Sequence, residues 1–581
     1  MIRLPRRYLR YGAFLIFVML LISLYRISID MRSGLGIKHL FIVWKDESPV
    51  NLEKLHATLE TLDRQRQIIT GIGLVSCFRL GHFIEWCPIE RALHHHSTNM
   101  PCSRKLVKKD ISGSTTFLRG LSPVSQYLYY DTLTVEELDT YILSRQNTGT
   151  EIHVRAMREP RSIQLRTKIP QDGLLIEFDN PFGGWDDGRD YVSDMDLLFG
   201  DDCTDPREGW ILHKGSPVTQ KNGVFVSSKQ FKSLLQIDTP QLTFGSSNKF
   251  KIVQLADLHL GVGSGVCRDE FPVHETCYAD PKTVEFIGKV LDFEEPQLVV
   301  FTGDQIMGEL SREDSASALL KAVAPAIERR IPYAMVWGNH DDEGSMSRRE
   351  LSEYVSRLPY SLFQMGPLDK NDKSFGMGNY KLSIKNQDGE DAAALYFLDS
   401  HKYSSNAKIY PGYDWIKESQ WIYMRDLAAK NSDNSKKLSM AFFHIPIPEY
   451  LDMYSTRDEA ENPLVGNFKE GITAPKYNSG GLSFLHEMGV SAVSVGHDHC
   501  NDYCLLDDSI SSKLEDKIWL CYGGGAGEGG YAGYGGTERR IRIFEIDNTK
   551  KEILTWKRLQ GSPEDFFDRQ VLVSNSVPNA A

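Results

Sequence analysis

Cysteine is scarce in this chain. Nine residues in 581, an odd number without the regular spacing of a secreted framework, exclude a small disulfide scaffold. A net positive charge is missing too. Lys and Arg total 66 against 78 Asp and Glu, a formal charge of −12, so the chain as a whole does not attract nucleic acid or anionic lipid. Any phosphate chemistry therefore needs a local reversal of the field. None of the 20 asparagines begins an Asn-x-Ser/Thr sequon. No apolar run reaches the roughly 18 residues that mark a generous membrane span, which excludes a polytopic membrane protein. What remains, at 41% hydrophobic, 25% charged and 10% aromatic residues, is the balance of a globular chain with two or three domains.

The longest uncharged run is short. Tyr11 to Tyr25 (YGAFLIFVMLLISLY) follows Arg3, Arg6, Arg7 and Arg10. As a helix it spans about 22 Å, against a hydrocarbon core of roughly 30 Å. No small-x-small cleavage signal follows, so residues 1–35 read as a basic segment with a single uncleaved anchor, ahead of a cleaved signal or a buried helix. The arginines place the amino end in the cytosol and the bulk of the chain in a lumen. The missing sequons and the odd cysteine count point the other way, and the sequence leaves the side open.

Residues 36–245 read as a β-rich domain without recognisable chemistry. Strand-like stretches such as LLIEF (174–178) and GVFVSS (223–228) alternate with Gly/Asp/Pro loops. The run His94, His95, His96 reads as an exposed loop, because three adjacent side chains do not converge on one ion. Residues 246–560 differ. Short apolar runs (KIVQLADLH, QLVVFTGD, YAMVWGNHDD, ALYFLDS, LSMAFFHIP, VSAVSVGHDHC) alternate with helical patterns such as 282–293, which predicts buried strands in a layered α/β fold. RRIRIFEI and EILTWKRL around DNTKK read as a hairpin closing a sheet, and residues 561–581 as a loose polar tail.

Five of these six apolar runs end in residues of the kinds that bind metals. Asp257 and His259 stand in D-L-H, Asp304 in G-D, Asn339, His340 and Asp341 in G-N-H-D, His444 in F-H-I-P, and His497 and His499 in G-H-D-H. Carboxylate, imidazole and amide without cysteine suit Mn²⁺, Fe²⁺ or Zn²⁺. Seven ligands exceed the need of one ion; two ions sharing Asp304 as a bridge use them all. One histidine beside a strand is ordinarily a core residue, but here that reading has to hold five separate times.

The ordered set D-x-H, G-D, G-N-H-D, H and G-H-x-H, across roughly residues 250–525, resembles the calcineurin-like metallophosphoesterases. The resemblance implies a four-layer α-β-β-α sandwich with two metals at the strand carboxyl ends. It implies that Asp257, His259 and His499 hold one divalent ion, that Asn339, His444 and His497 hold the second, and that Asp304 bridges them. Such a pair clamps phosphate oxygens and acidifies a water. The leaving alkoxide then needs a proton, which His340 is placed to give, with Asp341 orienting its ring and Asn339 and His340 also meeting the substrate.

Two departures separate the chain from purple acid phosphatases: Met307 stands where they place a tyrosine, and His259 occupies a position they leave without histidine. An Fe(III)–tyrosinate is thus not expected. Longer stretches resemble a fungal branch, which implies a phosphoprotein substrate, phosphoserine or phosphothreonine, and a role in cell-cycle progression. A phosphodiesterase of nucleotide or lipid head groups and a metal-bound scaffold are the alternatives. Three features stay open in the sequence. The glycine run 522–536 is a phosphate-approaching loop, a flap or a linker; Cys267 and Cys277 are bridged or free; His401 lines the pocket or serves structure.

Overall fold

The computed structural model describes residues 39–45, 56, 63–80, 84–87, 103–112, 124–146, 160–166, 173–179, 192–214, 223–230, 239–367, 374–430, 437–451, 464–507, 509, 513–533 and 536–579. The expected anchor at 11–25 and the histidine run at 94–96 lie outside the described residues. Among the described residues no helix is long and apolar enough to cross a membrane. The chain divides into two compact units, residues 1–201 with 208–235 and residues 202–207 with 236–581.

The first unit is β-rich, as its alternating stretches foretold. Its main sheet pairs Gln67–Leu80 with Val124–Thr134, edged by Ile84–Trp86 and Ser103–Val107. Two further three-stranded sheets carry the stretches at 173–179 and 224–230. Across the main sheet, Arg104 grips the Asp131 carboxylate with two hydrogen bonds of 2.6 and 2.8 Å.

The second unit is built on two mixed sheets. The first contains β1 (Lys249–Leu255), β2 (Leu298–Thr302), β3 (Tyr333–Val336), β10 (Arg540–Asp547), β11 (Glu552–Leu559), β12 (Ser562–Ser574) and β13 (Val577–Pro578), in the order β3-β2-β1-β10-β11-β12-β13. The second contains β4 (Tyr380–Lys385), β5 (Asp391–Phe397), β6 (Leu438–Phe442), β7 (Ala492–Val495), β8 (Cys504–Leu506) and β9 (Trp519–Tyr522), in the order β4-β5-β6-β7-β9-β8. The centre of each sheet is parallel: β3, β2 and β1 in one, β5, β6, β7 and β9 in the other. Every residue of β2, β3, β6 and β7 is buried, which is why these strands read as continuous apolar runs rather than alternating ones.

The sheets pack face to face. Gln254 of β1 donates to the Val495 carbonyl at 3.2 Å and accepts from Ser494 Oγ at 2.6 Å, and Phe442 meets Phe544 edge-on at 6.3 Å. Helix α1 (Ala279–Glu294) lies along the first sheet, where Glu294 accepts from Trp556 and Arg558 of β11 at 2.8 and 2.6 Å. It packs in turn on α2 (Ser315–Glu328), and α2 on α3 (Arg348–Val355). Helices α4 (Glu418–Ala429) and α5 (Gly481–Glu487) cover the second sheet through Trp421, Met424, Leu482 and Leu485 against Tyr396 and Val493. The α-β-β-α sandwich is thereby complete.

The carboxyl end corrects the sequence reading. Residues 562–574, expected to be loose, form β12 on β11, with Leu572 and Val573 fully buried. The acidic and basic residues of PEDFFDRQ conceal a strand whose apolar triplet Val571–Val573 completes the core. The cysteines are also more ordered than their number implied. Cys77–Cys87, Cys267–Cys277 and Cys504–Cys521 are bridged, the last pair facing each other across β8 and β9. Cys500 is outside these bridges, and Cys102 lies outside the described residues.

Candidate metal centre and active site

All five ligand-bearing segments begin where a parallel strand stops. β1 ends at Leu255 before Asp257 and His259, β2 at Thr302 before Asp304, β3 at Val336 before Asn339, β6 at Phe442 before His444, and β7 at Val495 before His497 and His499. Parallel strands from both sheets thus deliver their ends to one edge of the sandwich. The chain must then turn sharply. Asp257, His259, Asp304 and His497 all adopt left-handed backbone, with φ of 56°, 51°, 52° and 77°. Side-chain-bearing residues hold that conformation at a cost, and such strain gathers at functional sites.

The turns produce two clusters. Asp257, His259 and His499 form one group; Asp304, His444 and His497 form the other, each with its ligand atoms within 4.8 Å of one another. Asn339 joins the second group, its Oδ1 3.2 Å from His444 Nε2. Asp304 lies between the two. Its Oδ1 accepts the His340 amide at 2.8 Å, while Oδ2 lies 3.4 Å from His444 Nε2 and 3.7 Å from His259 Nε2.

The ring orientations are fixed from behind. His444 directs Nδ1 at the Thr302 carbonyl (2.9 Å) and His499 directs Nδ1 at the Tyr531 carbonyl (2.8 Å). Each ring then holds its proton on Nδ1 and presents a lone pair on Nε2. Those nitrogens meet other ring nitrogens. His259 Nε2 and His499 Nε2 are 3.0 Å apart, and His497 Nδ1 is 3.2 Å from His444 Nε2. His259 Nδ1 is buried without a partner. So dense a convergence of buried ring nitrogens and carboxylate oxygens, one nitrogen without a partner, suits cations, and the donor set of imidazole, carboxylate and amide fits divalent ions.

Electrostatics agree with that fit at His259, His497 and Asp304, whereas His444 without a cation beside it takes a second proton. Burial pushes His259 and His497 well below the usual imidazole range, keeping both neutral. At His444 burial is outweighed by Asp304, and the imidazole rises to about 9. Asp304, although buried, is held well below the carboxylate range by His444 and His259.

His340 and Asp341 part company. The His340 ring is 5.5 Å from that of His259, at the edge of the first group. Its Nδ1 meets Glu343 Oε2 at 2.8 Å, so Glu343 orients the ring, in place of the expected Asp341. Asp341 is fully buried and accepts backbone amides of Asp304 (3.1 Å), Ile306 (3.0 Å) and Gly338 (2.7 Å). It therefore shapes the two ligand-bearing turns, and burial beside Asp304 raises its carboxyl to about 7. The 3₁₀ turn Asp341–Glu343 explains the exchange: it carries Glu343 back to the ring and drives Asp341 inward. Against burial, Asp304 and Glu343 raise the His340 imidazole, favouring its protonated form.

The open features resolve. His401 Nε2 pairs with Gln420 Oε1 at 2.7 Å, a structural bond in the loop after β5. The glycine run lies beneath the first ligand group. A Cβ on Gly530 would stand 2.6 Å from His499 Cε1 and 2.7 Å from His259 Cδ2, so only glycine lets this backbone pass. Tyr531 then stacks on His499 with ring centroids 3.9 Å apart. Arg539 ties the segment down through the Tyr531, Gly530 and Arg268 carbonyls at 3.0, 2.8 and 2.6 Å. Glu343 was missed in the sequence although it follows His340 by one turn; the Tyr531 carbonyl left no sequence signal beyond the glycines around it.

Comparison with known proteins agrees with this geometry. The calcineurin-like phosphoesterase model matches residues 250–501, the span that holds six of the seven strands described above as parallel and every ligand. Phosphatase DCR2 of Saccharomyces cerevisiae is 47% identical over the full length of both chains. The chain belongs to the calcineurin-like phosphoesterase family. It is a metallophosphoesterase, a hydrolase of the phosphatase kind. An uncharacterized protein of Schizosaccharomyces pombe is 35% identical over 64% of this chain and 71% of its own length. Probable inactive purple acid phosphatase 29 of Arabidopsis thaliana is 36% identical over 58% of this chain and 89% of its own length. In this phosphoesterase the position three residues beyond Asp304 is Met307, buried and without metal-binding oxygen or nitrogen in its side chain.

Proposed function

We propose that this phosphoesterase works with two divalent ions, Mn²⁺, Fe²⁺ or Zn²⁺, and hydrolyses phosphomonoesters, its substrate being phosphoserine or phosphothreonine in proteins. The observation that carries the reading is Asp304 Oδ2, placed between His259 and His444 at 3.7 and 3.4 Å and so between the two ligand groups. When bound, the ions supply Lewis-acid polarisation of the phosphoryl group and acidify a water.

The chain's own residues do the rest. Asp257, His259 and His499 hold one side of the site; Asn339, His444 and His497 hold the other. Asn339 and His340 face the phosphoryl group. His340, kept protonated by Asp304 and Glu343, gives its proton to the departing serine or threonine oxygen, and Glu343 stabilises its ring orientation. Complete ligand sets and the His340–Glu343 pair favour an active enzyme over a metal-bound scaffold, which needs no proton donor.

Assay with Mn²⁺ against phosphopeptides, alkyl and aryl monoesters, and nucleotide and lipid diesters tests the reading. Turnover of diesters alone overturns the monoesterase assignment. His340→Ala should lower kcat by about 10²–10⁴ with metal content retained; unchanged turnover removes His340 from the reaction. Resemblance to the yeast phosphatase supports a role in cell-cycle progression, which loss of the phenotype in His340→Ala cells would tie to catalysis.

The proposal includes a single membrane anchor at residues 11–25, supported by the basic and apolar sequence there. The three disulfides favour the oxidising, lumenal side for the remainder. A carboxyl terminus open to protease in sealed vesicles overturns that side and brings cytosolic phosphoproteins within reach.

A further inference from the structure

The loop after β5 turns into a hairpin over the metal centre. Ser404 donates to the Gly412 carbonyl at 2.9 Å, Asp414 donates to the Lys402 carbonyl at 2.7 Å, and Tyr403 bridges Tyr413 in antiparallel register. The two tyrosine rings stack with centroids 5.6 Å apart and planes within 21°. Tyr413 in turn meets His497 edge-on at 4.4 Å. The inner ring is thus a wall of the second ligand group.

The outer ring is different. Tyr403, stacked on Tyr413 at the edge of the second ligand group, leaves 50% of its surface exposed. The candidate ligands His259, Asn339, His444 and His499 are buried to 4% exposure or less. A tyrosine stacked on one side and half open to solvent has one face and one donor to offer to whatever approaches the centre. Ile409, near the hairpin tip, is exposed as well.

We propose that Tyr403 is a substrate-contacting residue that reads what lies next to the phosphoryl group: its hydroxyl donates to a phosphoryl oxygen, and its ring stacks on a planar or apolar group close to the phosphorylated oxygen. The proposal rests on the phosphomonoesterase reading given above. Among phosphomonoesters, those with a planar or apolar group close to the phosphorylated oxygen, such as an apolar side chain flanking a phosphoserine, are preferred over those that present only small hydrophilic groups. The hydroxyl and the ring act separately, so two variants separate them.

The test is calorimetric binding of benzylphosphonate and methylphosphonate to the full-length, Mn²⁺-loaded protein and its Tyr403→Phe and Tyr403→Ala variants. The wild type binds benzylphosphonate more tightly. Tyr403→Ala loses that preference by roughly two- to tenfold, the range of an aromatic stack. Tyr403→Phe keeps the preference but weakens both ligands together by about tenfold, the size of a hydrogen bond to a charged group. Metal content and thermal midpoint are read on each variant, and Tyr403→Leu replaces the alanine variant if that protein fails to fold. The ratio of kcat/KM for p-nitrophenyl phosphate to that for glycerol 2-phosphate should fall in parallel. A preference unchanged in Tyr403→Ala or Tyr403→Leu overturns the proposal while leaving the phosphatase reading intact. Wild-type protein that binds neither phosphonate and hydrolyses neither ester refutes the parent reading instead.

Discussion

Gly530→Ala adds a single methyl group where the glycine run passes under His259 and His499, two of the proposed metal ligands. The backbone of Gly530 is not left-handed, so alanine meets no conformational penalty there and the whole effect is contact. The new Cβ stands 2.6 Å from His499 Cε1 and 2.7 Å from His259 Cδ2. Both fall short of ordinary carbon contact near 3.4 Å by about 0.7–0.8 Å, so one or both rings, or the backbone, must move by that much. His499 is not free to rotate away, because its Nδ1 is tied to the Tyr531 carbonyl and its face to the Tyr531 ring. Functional constellations tolerate roughly 0.5 Å of displacement. We expect affinity at the Asp257–His259–His499 group to fall by about 10- to 100-fold and kcat by about 10²-fold. Elemental analysis after dialysis against buffered Mn²⁺ should show loss of about one ion of the proposed two, with the thermal midpoint shifted by only a few degrees. Gly471→Ala, at a glycine whose added Cβ meets nothing within 4 Å, serves as the control. Full metal content and wild-type kcat in Gly530→Ala would refute the argument that the glycine run exists to seat these ligands.

Two further predictions concern the support of the site. Glu343→Gln removes the charge that helps raise His340, so the imidazole titrates at lower pH; kcat should fall about tenfold, with the alkaline limb of its pH profile moving down and metal content unchanged. An unmoved limb shows that Glu343 does not tune the acid. Asp502 is buried 2.7 Å from Lys557 Nζ and 2.5 Å from Arg540 Nε, and although burial opposes it, Arg540 and Lys557 hold its carboxyl far below the usual range. A depressed carboxyl stabilises the fold above its unfolded value near 3.9, and that stability is lost as pH falls toward the folded value. Asp502→Asn should cost about 3–5 kcal/mol at neutral pH by leaving Lys557 and Arg540 undercompensated, and should flatten the loss of stability in acid below about pH 4. Urea midpoints across that range measure both, and equal acid slopes in the two proteins contradict the assignment.

The ligands were legible because the fold forces them into recognisable places. A parallel strand buried on both faces must be an unbroken apolar run, and chemistry in such folds stands just beyond its carboxyl end. KIVQLADLH and VSAVSVGHDHC therefore announced both a strand and a site. Glu343 was not legible, since D-D-E offers three carboxylates near His340 and only the 3₁₀ turn shows which one reaches the ring. β12 was hidden for the opposite reason: PEDFFDRQ is polar in composition, and its edge position leaves half of those side chains in water.

The sequence by itself determined the family, the layered α/β class and the residues proposed as ligands, because metal chemistry and buried parallel strands each demand particular residues at particular spacings. Only the tertiary structure decided that the glycine run seats His259 and His499, that Asp341 shapes turns rather than holding the His340 ring, and that Tyr403 stands half open beside Asn339. Those roles depend on backbone carbonyls, on approaches of a few ångströms between distant segments and on which face of a ring is covered. None of these leaves a periodic trace along the chain.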